Sequence, residues 1–294
     1  MRNARFFNIV SLGWPDYSLL DSGNLKKLER VGGYKIIRPE PQAIWKPRRS
    51  NLWEGASAEF AFASEKGIWK NKKLPPKWEI CFEDIKFFCK TNSFKHIGFF
   101  PEQAPNWKWI SKMAAALPSA KVLNLFGYSG IASIAAAKAG AFVAHIDSSS
   151  QANDWCKENI FLSGLKNENR IRVLLDDALK FSKRELKRGN FYDGIILDPP
   201  AFGRGKRGEV WRIERDLPVL LEILFKLLRK RKNSFFLLNS YAAGYSPESL
   251  KQLVESFIGG EEDKIFFEFG EMQIKEFNSE RVLPSGVYSR FFYV

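Results

Sequence analysis

Cysteine and histidine are scarce in this chain. Its 294 residues hold three Cys (Cys81, Cys89 and Cys156) and two His (His96 and His145). No C-x-x-C pair occurs, and two imidazoles do not complete a metal cage, so no metal site is expected. Three thiols make no disulfide framework either, which points to a reducing compartment, read here as the cytoplasm. Long apolar runs are also missing. No stretch reaches the roughly 20 residues that a spanning helix needs, so no membrane partner is expected. The opening "MRNARFFNIV" carries charge but neither the apolar core nor the cleavage site of a signal peptide. No internal repeat or low-complexity tract stands out.

Acidic residues are the third shortage. Lys and Arg number 46 against 33 Asp and Glu, a formal charge of +13. Two readings stand. One is a polyanionic partner, above all nucleic acid. The other is a lysine-rich compositional bias, because net charge speaks to non-specific binding and not to fold. Aromatics make up 15% of the chain, with nine Trp. They suit base stacking, but building a core is their default use.

Two regions are expected. Residues 1–94 are short apolar runs between turn residues, a small β-rich region with a basic "KPRR" at 46–49 and a candidate role in substrate or RNA recognition. From residue 95 the pattern alternates. Strands are predicted at "KVLNLF", "FVAHID", "IRVLLDD", "YDGIILD", "SFFLLNS", "KIFFEF" and "VYSRFFYV", with helices between all but the last two. Such alternation predicts a doubly wound, Rossmann-like α/β fold with a seven-stranded, mainly parallel sheet. The last two strands are expected as an antiparallel ribbon at one edge.

Ligands of open α/β sheets bind beyond the carboxyl ends of the strands. The first of these strands runs into "NLFGYSG", which holds Asn124, Phe126, Gly127, Tyr128, Ser129 and Gly130. Its glycines let backbone approach a ligand, and the helix that follows presents free N–H groups. The second strand ends in Asp147 and Ser148, about 20 residues after the glycine turn, where a carboxylate accepts ribose hydroxyls. The third ends in Asp176, Asp177 and Ala178, and the fourth in Asp198, Pro199 and Pro200. A lone acid at a strand end is usually a helix cap. A series at successive strand ends describes a nucleoside-bearing cofactor: the glycine turn for its amino-acid or phosphate end, Asp147 for ribose, Asp177 for the adenine amino group. The dinucleotide fingerprint G-x-G-x-x-G is incomplete here, which favours S-adenosylmethionine, a cofactor without pyrophosphate. In "FFPEQAPNW", Gln103 and Asn106 are either a roof over that cofactor or residues of a helix start.

"NLFGYSG", "HID", "LDDA" and "DGIILDPPAFGRGKRGEVW" resemble the class I S-adenosylmethionine-dependent methyltransferases. Within them the chain resembles the group containing the large-subunit 23S rRNA methyltransferases with a D-P-P-x-F motif. The resemblance covers roughly residues 95–294. "KHIGFFPEQAPNW" resembles the segment leading into that domain, and "DYSLLDSGNLKKLERVGGYKIIRPEPQAIW" resembles the leading region of bacterial members. It implies an enzyme that transfers methyl groups to RNA, rRNA first of all.

The target atom follows from what is missing. Carbon-5 of a pyrimidine becomes nucleophilic only after a cysteine adds to the ring, and relatives that methylate it carry that Cys in the fifth-strand motif or beside D-P-P. Here those places hold Asn239, Ser240 and Tyr241, and Ala201. Cys156 sits among residues of a core helix. A base nitrogen is therefore expected as the nucleophile. Asp198 and the carbonyls beside Pro199 and Pro200 are expected to accept from a base amino group, on a turn stiffened by proline. Phe202 either stacks on the base or packs under the loop. Arg204, Lys206, Arg207 and Arg212 are expected on RNA phosphates, the alternative being a solvated basic loop. A protein or small-molecule methyltransferase, and a non-catalytic RNA-binding relative, remain open.

Overall fold

The computed structural model describes residues 4–63, 66–70, 73–92, 95–204, 210–242, 244–260 and 264–294. The chain forms two compact units, and neither is one continuous segment. One comprises residues 10–104 and 272–285, the other residues 1–9, 105–271 and 286–294. A single cut near residue 94 thus misses the segment 272–285, which lies far along the chain from its partners.

The N-terminal strands are β1 (Ala4–Phe6), β2 (Ile9–Ser11), β3 (Tyr17–Gly23), β4 (Lys26–Val31), β5 (Tyr34–Pro39), β6 (Ala58–Ala63), β7 (Lys66–Lys70), β8 (Lys77–Phe82) and β9 (Ile85–Lys90). Strands β3 to β7 form one sheet in chain order, and β8 with β9 forms a separate hairpin. The hairpin alternates as a half-buried ribbon should: Trp78, Ile80, Phe82, Ile85, Phe87 and Cys89 are buried. Strands β3 to β5 hide charge as well as apolar surface. Glu29 is fully buried, paired with Arg38 at 2.7 Å and accepting from the Tyr17 hydroxyl at 2.8 Å. Burial opposes its ionisation, but the Arg38 guanidinium prevails and holds it at about 2.

Asp21, also fully buried, organises the basic segment at 46–49. It accepts from the backbone N–H of Arg48 (3.2 Å) and Arg49 (2.9 Å), and from the Trp53 indole (2.8 Å). Arg49 in turn donates to the Phe277 and Asn278 carbonyls at 2.5 Å each. Lys46 and Arg48 stay exposed.

The second unit carries the alternating elements: α1 (Ala104–Ala115), β10 (Lys121–Leu125), α2 (Ile131–Lys138), β11 (Phe142–Asp147), α3 (Ser150–Leu162), β12 (Ile171–Leu175), α4 (Ala178–Lys187), β13 (Gly194–Leu197), β14 (Phe202–Arg204), β15 (Val210–Arg212), α5 (Ile213–Leu227), β16 (Phe235–Ser240), α6 (Pro247–Ile258), β17 (Ile265–Lys275) and β18 (Val282–Tyr293). All seven expected strands lie in one sheet, in the order β12-β11-β10-β13-β16-β18-β17. The short strands β1 and β2 both pair with β17 and extend the sheet to nine. Strands β10 to β13 and β16 run parallel, and β18 runs antiparallel to β16.

Strand order reverses between β10 and β13, so the crevice at a topological switch point opens where "NLFGYSG" and D-P-P stand. Helix α5 buries Leu217, Leu220, Leu221 and Leu224 in the core of this unit. Helix starts follow capping chemistry: Ser149, Asp177 and Ser246 each accept a backbone N–H of the first turn. Among the described residues no helix is long and apolar enough to cross a membrane.

The Asp21 cluster yields a stability prediction. Asp21→Ala leaves buried donors without their acceptor and should lower the unfolding free energy by about 3 kcal/mol in a urea titration. An unchanged midpoint would show that the 46–49 segment holds its place without the carboxylate.

Candidate active site

The turn after β10 is tight. Phe126, Tyr128 and Gly130 all have positive φ, at 58°, 50° and 86°. Left-handed backbone at two side-chain-bearing residues costs energy and persists only where neighbours enforce it. The neighbours here are close. A Cβ at Gly127 would meet Cε1 of His145 at 2.3 Å, and one at Gly130 would meet Sγ of Cys156 at 2.3 Å. Both glycines are therefore required for seating the turn on the protein itself, a reason different from the ligand approach expected from sequence.

Beneath the turn lies a buried polar chain. Asn124 Nδ2 donates to the Ser133 hydroxyl at 2.8 Å, and that oxygen lies 3.0 Å from His145 Nδ1. The hydroxyl pairs with Nδ1 in either tautomer of the neutral ring. Burial lowers its pKa from 6.5 to about 4. Asn124 is thus tied inside the fold beneath the turn. Burial raises the Cys156 thiol far above its ordinary value, so it is inert.

Asp147 is held by the same turn. Its Oδ2 accepts the Tyr128 N–H at 2.9 Å and its Oδ1 accepts the Ser149 N–H at 2.8 Å. Burial raises its pKa, and the two amide bonds act against that rise. Each oxygen keeps a lone pair beyond its amide bond, which suits two hydroxyl donors. At the next strand end, Asp176 accepts the Asp177 N–H at 2.9 Å and pairs with Arg184. Asp177 Oδ1 caps α4 through the Lys180 N–H at 2.8 Å. The capping role that a strand-end acid usually has therefore holds for Asp177, with Oδ2 beyond it.

These acids line a cavity of about 550 Å³, the size of an ordinary small-molecule site. Of the residues singled out from sequence, Phe126, Asp147, Ser148, Asp177, Ala178, Pro200 and Arg204 line it. Gly127, Tyr128, Ser129 and Gly130 build the turn beside it. Ser129 is buried, and its carbonyl accepts from Asn159 at 2.8 Å. Asn106 is elsewhere. Its Nδ2 donates to Asn239 at 3.1 Å and its Oδ1 accepts from Arg290 at 3.0 Å, so its amide ties α1 to the end of β16. Gln103 is buried and belongs to the other unit. Sequence patterns did not reveal Ile146, Leu175, Lys180, Arg184, Gly203 and Trp211 as lining residues.

The segment after D-P-P departs from the expected loop. It is a β-hairpin, β14 against β15, pairing Phe202 with Arg212, Gly203 with Trp211 and Arg204 with Val210. Side chains alternate across such a ribbon. Gly203 and Trp211 share the face that lines the cavity. Phe202, Arg204, Val210 and Arg212 share the other face, although Arg204 also borders the cavity. Phe202 is 51% exposed, with the Arg204 guanidinium 5.8 Å from its ring centroid. Lys206 and Arg207 lie outside the described residues. Asp198 is half-buried, Pro199 buried and Pro200 exposed. The Pro200 carbonyl is already engaged: the Trp211 indole donates to it at 2.7 Å. A second lone pair on that oxygen lies beyond the indole bond.

His145 gives the site a pH signature. Its folded pKa lies below the unfolded value, so the unfolded chain binds the extra proton between pH 6.5 and about 4. Stability should fall as pH drops through that window, by about 2 kcal/mol between pH 6.5 and 5 from this residue. His96, held at about 3 by burial and by Arg38, adds a loss of the same sign. Thermal melts should show a smaller acid loss in His145→Gln than in the wild type, and equal losses would refute the assignment.

Comparison with known proteins agrees with this geometry. A family model described as S-adenosylmethionine-dependent methyltransferase matches residues 60–234. Ribosomal RNA large subunit methyltransferase K of Neisseria meningitidis serogroup B is 30% identical over 208 residues, covering 66% of this chain and 57% of that protein. Ribosomal RNA large subunit methyltransferase K/L of Shewanella pealeana is 41% identical over 145 residues, 49% of this chain and 19% of that protein. The chain thus spans little more than half of the first relative and about a fifth of the second. A solved SAM-dependent methyltransferase from Agrobacterium tumefaciens covers 97% of this chain and 93% of its own, at 37% identity and a TM-score of 0.91. The chain belongs to the S-adenosylmethionine-dependent methyltransferase family.

Proposed function

We propose that this methyltransferase acts on RNA, rRNA first of all, at a base nitrogen and without a catalytic cysteine. The observation that carries this reading is the outward face of the β14–β15 hairpin. An exposed aromatic ring, Phe202, stands there between Arg204 and Arg212, immediately after the D-P-P turn. A base stacks on such a ring, and cations at its sides hold phosphates. The formal charge of +13 and two relatives named as rRNA methyltransferases point the same way. The exposed Lys46 and Arg48 make the N-terminal unit a second candidate RNA surface.

S-adenosylmethionine supplies an activated methyl group on a sulfonium. The chain's own residues bind, orient and exclude water. In our assignment Asp147 accepts the ribose hydroxyls and Asp177 Oδ2 the adenine amino group. The first turn of α2, which Gly130 leaves without a side-chain cap, receives the carboxylate end. Asp198, at the head of the D-P-P turn, accepts from the target base. A ring nitrogen or amino group attacks with its own lone pair, so no thiol adduct is required. This agrees with the positions of the thiols: among the described residues no Cys lines the cavity, Cys156 is sealed under Gly130, and Ala201 stands beside D-P-P.

Incubation with methyl-labelled S-adenosylmethionine should place label in the rRNA fraction, and label in ribosomal protein instead would contradict the substrate class. A Cys81/Cys89/Cys156→Ser variant that folds should stay active, whereas a trapped adduct with 5-fluorocytosine RNA would defeat the cysteine-free route. Asp147→Ala should weaken S-adenosylhomocysteine binding about a hundredfold, the worth of two charge-assisted hydrogen bonds, while the melt stays cooperative. Unchanged affinity in calorimetry would remove Asp147 from the ribose.

A further inference from the structure

Trp211 has no role in the assignments above, yet it touches both turns of the site. It sits on β15 opposite Gly203, on the hairpin face that lines the cavity. Its ring centroid lies 4.9 Å from that of Phe126, at an interplanar angle of 58°. Phe126 opens the strained turn after β10. The Trp211 Nε1 donates to the Pro200 carbonyl at 2.7 Å.

The D-P-P turn needs such a donor. Pro199 and Pro200 have no N–H, so these two residues cannot fix the turn through amides of their own. Asp198 N–H donates to the Leu125 carbonyl at 3.4 Å. Beyond the prolines the chain is held through its carbonyls. Among the described residues, Trp211 Nε1 donates to Pro200 and the Ile213 N–H to Ala201 at 3.1 Å. A phenylalanine at 211 would fill the same wall, but only the indole also supplies a donor.

The geometry points to Trp211 as a positioning residue of methyl transfer: its N–H fixes the D-P-P turn beside the target, and its ring walls the cofactor cavity against Phe126. This inference rests on the assignment of that cavity to the cofactor and of the D-P-P turn to the acceptor. The two functions separate by substitution. Trp211→Phe keeps the ring and removes the N–H. It should bind S-adenosylhomocysteine within about twofold of wild type, leave KM for rRNA unchanged and lower kcat by about tenfold, as loss of one positioning bond predicts. Trp211→Ala should in addition lose about tenfold in S-adenosylhomocysteine affinity.

Hydrogen exchange provides a readout that needs no substrate. Amides of 202–204 and 210–213 should exchange about fivefold faster in Trp211→Phe, with the rest of the chain unchanged. Wild-type kcat together with wild-type exchange in Trp211→Phe overturns the N–H role. Wild-type affinity in a folded Trp211→Ala overturns the wall. If Trp211→Ala does not fold, Trp211→Leu replaces it, with the same weakened affinity expected and the same overturning result. Should the wild type methylate protein rather than RNA, the RNA reading fails, and the kcat comparison is made on that protein. Should it methylate neither, exchange and affinity decide.

Discussion

The site depends on how closely the turn after β10 can sit on its neighbours. Gly127 rests on the His145 ring and Gly130 on Cys156, each with no room for a methyl group. That seating places the Tyr128 N–H on Asp147 and starts α2 directly from Gly130. One packing constraint thereby fixes the carboxylate, the helix terminus and one wall of the cavity. The buried chain of Asn124, Ser133 and His145 supplies the surface on which the turn is seated. Burial keeps the imidazole neutral at ordinary pH.

The D-P-P turn at the other side of the switch point is made by the opposite strategy. Proline gives it stiffness and removes its donors, so its position is set from outside, by the hairpin that follows. The ribbon then divides the labour between its faces. Trp211 faces the cavity, Phe202 and Arg212 share the opposite face, and Arg204 borders both. In the function we propose, the basic charge directly behind D-P-P holds the RNA while the opposite face of the ribbon walls the cavity.

The alternation of strands and helices, the seven strands and the acids at successive strand ends were legible in the sequence, because period and strand-end chemistry are local. What was missed depends on partners distant in sequence. The glycines of "NLFGYSG" look like ligand-contact glycines until His145 and Cys156 are seen beside them. Of the two readings of Asn106, the helix start is the local one; its tie to Arg290, 184 positions away, shows only in the structure. Strands β3 to β5 carry Asp21, Lys27, Glu29 and Arg38 inward as paired charges, which hides the alternation that marks a strand. The hairpin after D-P-P reads as a loop because glycine and arginine dominate it. Its strands are only three residues long, and their register shows only in the structure.

In our proposal the cavity and the outward face of the hairpin together methylate a base nitrogen in RNA. Mass spectrometry of rRNA nucleosides from a strain lacking this chain, with and without complementation, tests it most directly. One N-methylated nucleoside should disappear in the deletion and return with the wild-type chain. An unchanged nucleoside profile, or a missing methyl located on carbon-5 or on ribose, would contradict it.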